Sequence, residues 1–127
     1  MKITVPDNVI NRDPGTGEPV LRPDGRPDVL AFGWWLEVIV LNDPRWSHSY
    51  KSMRSAATID RQVRGCAPGD VVELELADWE ALRDIVDSPQ FLAKDETGRV
   101  VPMRGYVNPL LGRLAFPFIA AVIEARA

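Results

Sequence analysis

Cysteine and histidine each occur once in this chain, as Cys66 and His48. One thiol closes no disulfide within the chain and builds no cysteine-based zinc site, so the fold must be held by packing. With one histidine, any Ser-His or Cys-His nucleophile would have to run through His48. Its neighbours Ser47 and Ser49 project away from it on a helix, so His48 reads as a surface residue. Cys66 falls just past an expected helix C-terminus, the end of the dipole that disfavours a thiolate, and reads as a small turn residue. Positive charge is not in excess either: a net charge of -3 gives no global pull toward nucleic acid or an anionic membrane. No apolar run reaches the roughly 20 residues needed to cross a bilayer, and the opening MKITVPDNV turns polar too soon for a signal peptide. Gly15-Thr16-Gly17 lacks a third glycine and opens no helix, and no P-loop, H-E-x-x-H or EF-hand loop occurs.

What the chain does have is apolar content. At 127 residues it suggests one domain, long enough to build a core without staples. Residues 28–44, DVLAFGWWLEVIVLNDP, are almost wholly apolar, with Glu37 the only charge between two acidic ends. Asp28 is placed to cap a helix from Val29 to about Leu41, ended by Asn42, Asp43 and Pro44. Glu37 to Leu41 is also β-branched enough for a buried strand, and periodicity does not separate the two. On a helix, Trp34 and Trp35 point in different directions, so one buried face cannot take both.

The prolines cluster before position 28 and between 89 and 117. Lys2 to Val5 reads as a short strand ended by Pro6, and residues 6–27 as a Pro/Gly-rich arm. Asp13 to Gly17 and Pro23 to Gly25 are turn signals in it, and Val9-Ile10 could pair with Val20-Leu21. Ser47 is a candidate cap for a helix from His48 to Arg64, with Met53, Ala56, Ile59 and Val63 on one face and Gly65 as its stop. Val71 to Leu76 alternates as a half-buried strand. Asp78 would cap a helix, Trp79 to Asp87, buried through Trp79, Leu82 and Val86. Phe91-Leu92 could pair with Val100-Val101 across a turn at Asp95 to Gly98. Asn108-Pro109 would open a last helix to about Arg126, with a stripe of Leu111, Leu114, Phe118, Val122 and Ala125 that Pro117 kinks or splits. The expected fold is α+β, a mostly helical single domain over 28–127 with a small antiparallel sheet or hairpins and an extended N-terminal arm over 1–27.

Candidate chemistry is sparse. Glu73 and Glu75 share a strand face beside Asp70 and Asp78 and read as a solvated acidic surface. Lys51, Arg54 and Arg61 lie close to one helical face, with Trp46 and Tyr50 just upstream. Asp60 interrupts that stripe, and an ordinary solvated face or a salt-bridged contact with an acidic partner fits better than nucleic acid. The segments LNDPRWSHSYKSMRSAATIDRQV, GDVVELELADWEALRDIV and PLLGRLAFPFIAAVIEA resemble, in kind and order, small proteins of the head and tail morphogenesis clusters of tailed bacteriophages. That resemblance implies a virion component or tail-assembly factor located in the particle or the bacterial host cytoplasm, and supplies no catalytic residues. The expectation is therefore a non-enzymatic assembly protein without cofactor or metal. It would act through protein contacts, by self-association or with other particle subunits, at Trp34, Trp35, Trp46, Tyr50, Lys51, Arg54 and Arg61. The alternatives are a nucleotide-like ligand binder that combines Trp35 or Trp46 with Arg54 or Arg61, and a small hydrolase or nuclease using His48 or the acidic pairs.

Overall fold

The computed structural model describes residues 1–13, 15–88, 90–104 and 113–127. Strand β1 (Lys2–Thr4) buries Ile3 and exposes its neighbours, the period-two pattern of a half-buried strand. It pairs antiparallel with β4 (Val71–Glu73), Ile3 opposite Val72. Its other edge is taken by Arg126, whose N–H and carbonyl both bond Lys2. The two ends of the chain are thus joined through Lys2 and Arg126. The alternation expected for Val71 to Leu76 holds at Val72 and Leu74, both buried, but Leu76 already opens the next helix and is exposed.

The arm folds on itself. Val9-Ile10 (β2, Val9–Ile10) does not pair with Val20-Leu21; it pairs with β3 (Val29–Leu30), Val9 opposite Leu30. Below that pair, Asn11 N–H donates to the Asp28 carbonyl (2.9 Å), Asp28 N–H to Val20 (2.7 Å) and Val20 N–H back to Asn11 (2.9 Å). Three chain segments close a ring in which each both donates and accepts. The Asn11 amide and Arg22 hold the Asp28 carboxylate at the same point, at 3.1 and 3.5 Å. Two tight loops leave the ring, through Asp13 to Glu18 and Arg22 to Arg26, with Gly17 and Gly25 at positive φ. This pairing satisfies backbone groups that would otherwise need water.

Asp28 is consequently not a helix cap. Its backbone is committed to the ring, and the helix begins after Ala31, as α1 (Phe32–Trp34) running into a π-helical stretch, Trp35–Val40. The Leu41 N–H reaches back five residues to the Leu36 carbonyl at 2.8 Å. Glu37 to Val40 is therefore helical, not strand. A short 3-10 turn, Pro44–Ser47, follows, and its capping residue Asp43 is buried. The Asp43 carboxylate accepts from the Arg45 backbone N–H and guanidinium, and Arg45 also donates to the carbonyls of Ile85 and Ser88. A cation on those terminal carbonyls complements the helix dipole there.

Ser47 ends that turn and caps nothing. The cap of α2 (Tyr50–Val63) is Ser49, whose Oγ accepts from Ser52 N–H at 3.1 Å. Ile59 and Val63 are buried on its inner face, while Met53 is exposed. Gly65, at φ 73°, turns the chain in the left-handed conformation only glycine takes cheaply. Helix α3 (Leu76–Asp87) starts three residues earlier than expected, after Glu75. Asp78 lies in its first turn, where its carboxylate accepts the Ser55 hydroxyl of α2 at 2.7 Å instead of capping. Trp79, Leu82 and Val86 are buried as the stripe requires.

Strands β5 (Gln90–Lys94) and β6 (Val100–Arg104) form the expected hairpin in another register: Phe91 and Leu92 face Met103 and Pro102, while Val100 and Val101 face Lys94 and Ala93. The Asp95 carboxylate accepts three backbone or hydroxyl bonds from Thr97 and Arg99, and these bonds, the Thr97 hydroxyl first, hold it below its usual range. Asn108, Pro109 and Leu111 lie outside the described residues. The helical backbone at Arg113 and Leu114 breaks at Ala115, and α4 (Phe116–Ile123) restarts with Pro117 in its first turn, where a missing N–H costs nothing. Its Phe118 meets Phe32 and Trp35 at ring-centroid distances of 5.8 and 5.6 Å, the centre of a core that draws on every helix. The Trp79 indole N–H bonds the Val122 carbonyl at 2.9 Å and ties α3 to α4. The molecule is α+β, mostly helical, with small antiparallel two-stranded sheets.

Candidate functional site

Two adjacent tryptophans separate at the start of the helix. Trp35 is fully buried against Phe32 and Phe118, whereas Trp34 is 42% exposed. Val38, one helical turn on, is exposed to the same extent. Trp35 and Leu36 between them turn inward, as does Val40 just beyond. One helix thus presents an apolar edge to solvent and buries the opposite one. At the root of the arm, the cross-strand pair Ile10 and Val29 is also partly exposed, as are Val20 and Leu21 within it.

Trp35 and Trp46 are corrections to the candidate site. Both indoles are consumed by the core, Trp35 in the aromatic cluster and Trp46 through a 3.0 Å hydrogen bond to the Val40 carbonyl. Neither offers a ring face to a partner, and neither can stack on a ligand together with Arg54 or Arg61. Among the described residues the Trp35 indole N–H is enclosed with no acceptor. Trp34 is thus the indole of the apolar run left at the surface.

The α2 candidates do share an exposed surface. Tyr50, Arg54, Ala57 and Arg61 recur at steps of four, three and four and are all exposed, and Lys51 lies beside them. The Arg61 guanidinium touches the Thr58 hydroxyl at 3.5 Å, and Arg64 is paired to Asp60. Lys51, Arg54 and Arg61 make no ion pair among the described residues. Across the groove from Lys51 and Arg54, α3 presents Glu75, Asp78, Glu80 and Asp84, and Ser55–Asp78 bridges the floor.

His48 is exposed at the end of the 3-10 turn. Cys66 is half-buried beside Gly33, and burial first, then the negative charge of Asp70, pushes its thiol above the usual range. Among the described residues no group of three His, Cys, Asp or Glu side chains could hold a metal ion, and no helix is long and apolar enough to cross a membrane. The apolar edge at Trp34 and Val38 was not separable from the core by sequence, because periodicity identifies that a run is apolar without deciding which flank is covered. The sequence offered Asp78 as a cap beside the acidic face of Glu73 and Glu75, and did not place α3 beside α2. The chain matches no protein-family model, no curated protein and no solved structure.

Proposed function

We propose that this chain is a non-enzymatic assembly protein that works through protein contacts, as a component of a larger particle or a factor that builds one. The observation that carries the proposal is Trp34. A large aromatic left 42% exposed beside an equally exposed Val38, on a helix whose other flank is solid core, is surface that a partner would bury with gain. The folded arm beside β3 extends that surface with Ile10 and Val29. The cationic ridge on α2 supplies polar contacts around such an interface. The phage head or tail setting rests on the sequence resemblance given above.

The direct test is the mass of the chain in solution. Light scattering coupled to size exclusion should give a mass above that of one chain at tens of micromolar, and Trp34→Asp should lower it while leaving the far-ultraviolet circular dichroism unchanged. A single-chain mass at every concentration, with Trp34 equally accessible to iodide quenching throughout, would remove the self-associating form of this function.

A further inference from the structure

The β5–β6 hairpin has strands of five residues each and pairs with no third strand among the described residues. Its register decides which backbone groups the two outer edges present. The Asp95 N–H donates to the Arg99 carbonyl at 2.9 Å, so that opposed pair is hydrogen-bonded. Bonded and non-bonded pairs alternate along an antiparallel ladder. Ala93 with Val101 and Phe91 with Met103 are therefore bonded pairs. Lys94 with Val100, Leu92 with Pro102 and Gln90 with Arg104 turn their backbone groups outward. Pro102 agrees with this phase independently: its missing N–H falls on the outer edge of β6, the place in a sheet where proline is tolerated. The two edges are consequently unequal. That of β6 lacks its central donor, whereas that of β5 presents complete N–H and C=O sets at Gln90, Leu92 and Lys94. None of these sets bonds another segment among the described residues. Other strands are guarded against strand addition by brevity or by cover. Strands β2 and β3 have two residues each, β1 and β4 three. The outer side of β1 is taken at Lys2 by Arg126, and Pro6 follows shortly after its end.

We infer that two copies of this chain join along β5, strand against strand, antiparallel across a two-fold axis at Leu92. A two-fold axis sets one edge against itself, so the edge must complement itself. An antiparallel strand edge does so, because each outward N–H meets an outward carbonyl of the same strand in the other copy. With the axis at Leu92, the two Leu92 backbones face each other, and each Gln90 faces the other copy's Lys94. Each facing pair exchanges two N–H to C=O bonds. This register also suits the charges. Lys94 is exposed, and the axis at Leu92 holds the two Lys94 residues roughly 14 Å apart along the strands, whereas an axis at Lys94 would set the two cations opposite one another. A two-stranded hairpin alone is marginal in water, and the contact converts two hairpins into one four-stranded sheet, ordered β6–β5–β5–β6. The inference rests on the assembly role proposed above and names a second contact for it, made by backbone instead of by Trp34.

The test is run in the Trp34→Asp chain, so that the mass reads this contact alone. Light scattering should give the mass of two chains. Leu92→Pro removes one outward N–H and no bond within the hairpin, and should raise the concentration at which half the chains are paired at least tenfold. The register is read by charge. Gln90→Glu sets a carboxylate against Lys94 across the axis and should lower that concentration about threefold. The same change in a Lys94→Glu chain sets acid against acid and should raise it instead. One substitution acting with opposite sign in the two chains cannot be a loss of fold. A pairing concentration unmoved by Leu92→Pro, or shifted alike by Gln90→Glu in both chains, would overturn the inference. So would a Leu92 amide already protected from hydrogen exchange at dilutions where the mass is that of one chain, since the edge would then be covered from within. A mass that falls to one chain with Trp34→Asp alone would overturn it too, while leaving the Trp34 surface standing. A mass indifferent to Trp34→Asp but lowered by Leu92→Pro would do the opposite.

Discussion

The indole N–H groups of Trp46 and Trp79 donate to backbone carbonyls, those of Val40 and Val122, while that of Trp35 is enclosed without an acceptor among the described residues. An unpaired buried donor costs about 1–3 kcal/mol in lost hydration. Replacing Trp35 by Phe relieves that cost while shrinking the ring, whereas Trp79→Phe shrinks the ring and gives up a buried 2.9 Å hydrogen bond, leaving the Val122 carbonyl its longer bond from the Ala125 N–H. We expect Trp79→Phe to lose about 1–2 kcal/mol more than Trp35→Phe in urea unfolding at matched m-values; equal losses would contradict the difference in hydrogen bonding. Cys66 gives a residue-scale prediction in pH. Its thiol is pushed above its usual value of 9.0 in the fold, so the folded state favours the neutral form. The stability this contributes is complete below pH 9, where the unfolded thiol is also neutral, and is lost as pH rises through the folded value. Stability of the parent should fall faster above pH 9 than that of Cys66→Ser, and iodoacetamide at pH 8 should alkylate the folded chain more slowly than the unfolded one.

Among the elements, the arm has the most distinctive construction. Its outer residues are mostly exposed, yet backbone pairing orders it: three segments meet at Asn11, Val20 and Asp28, each saturating the others. Proline at position 20 would delete the N–H that Asn11 receives. We expect Val20→Pro to speed trypsin cleavage after Arg12 at least tenfold, while the unfolding midpoint of the core shifts little, because no core side chain rests on that bond. The helix from Phe32 to Val40 shows a second elemental feature. Its π winding makes a wider turn than an α-helix, and such stretches recur where a helix serves a site. Here it accompanies the division between buried Trp35, Leu36 and Val40 and exposed Trp34 and Val38.

For the molecule as a whole, closure depends on contacts between distant parts of the chain. Ile3 is fully buried opposite Val72, and Lys2 bonds Arg126 in both directions. Ile3→Ala should therefore destabilise the whole fold by about 3 kcal/mol, read as a lower urea midpoint for all probes together. Loss confined to a local signal would show that β1 is peripheral. Opposite charges are also segregated at this scale: Lys51, Arg54 and Arg61 on α2 make no ion pair among the described residues, and Glu80, Asp84 and Asp87 stand exposed on α3.

The sequence by itself determined which segments are apolar, where most turns fall and which helices exist, because these follow from side-chain volume, β-branching and the φ values open to Gly and Pro. The stripe of Trp79, Leu82 and Val86, the left-handed stop at Gly65 and the turn at Asp95 were legible for that reason. Caps were misplaced by two or three residues, at Ser47 for Ser49, at Asp78 for Glu75 and at Asp28 for Ala31, because a short polar side chain can equally serve a turn, a neighbouring helix or a backbone ring. Only the tertiary structure decided that Asp78 serves Ser55, that Trp35 and not Trp34 fills the core, and that β2 pairs with β3 across the arm. Those outcomes depend on which surfaces meet after the chain closes, and local physics cannot distinguish between them beforehand.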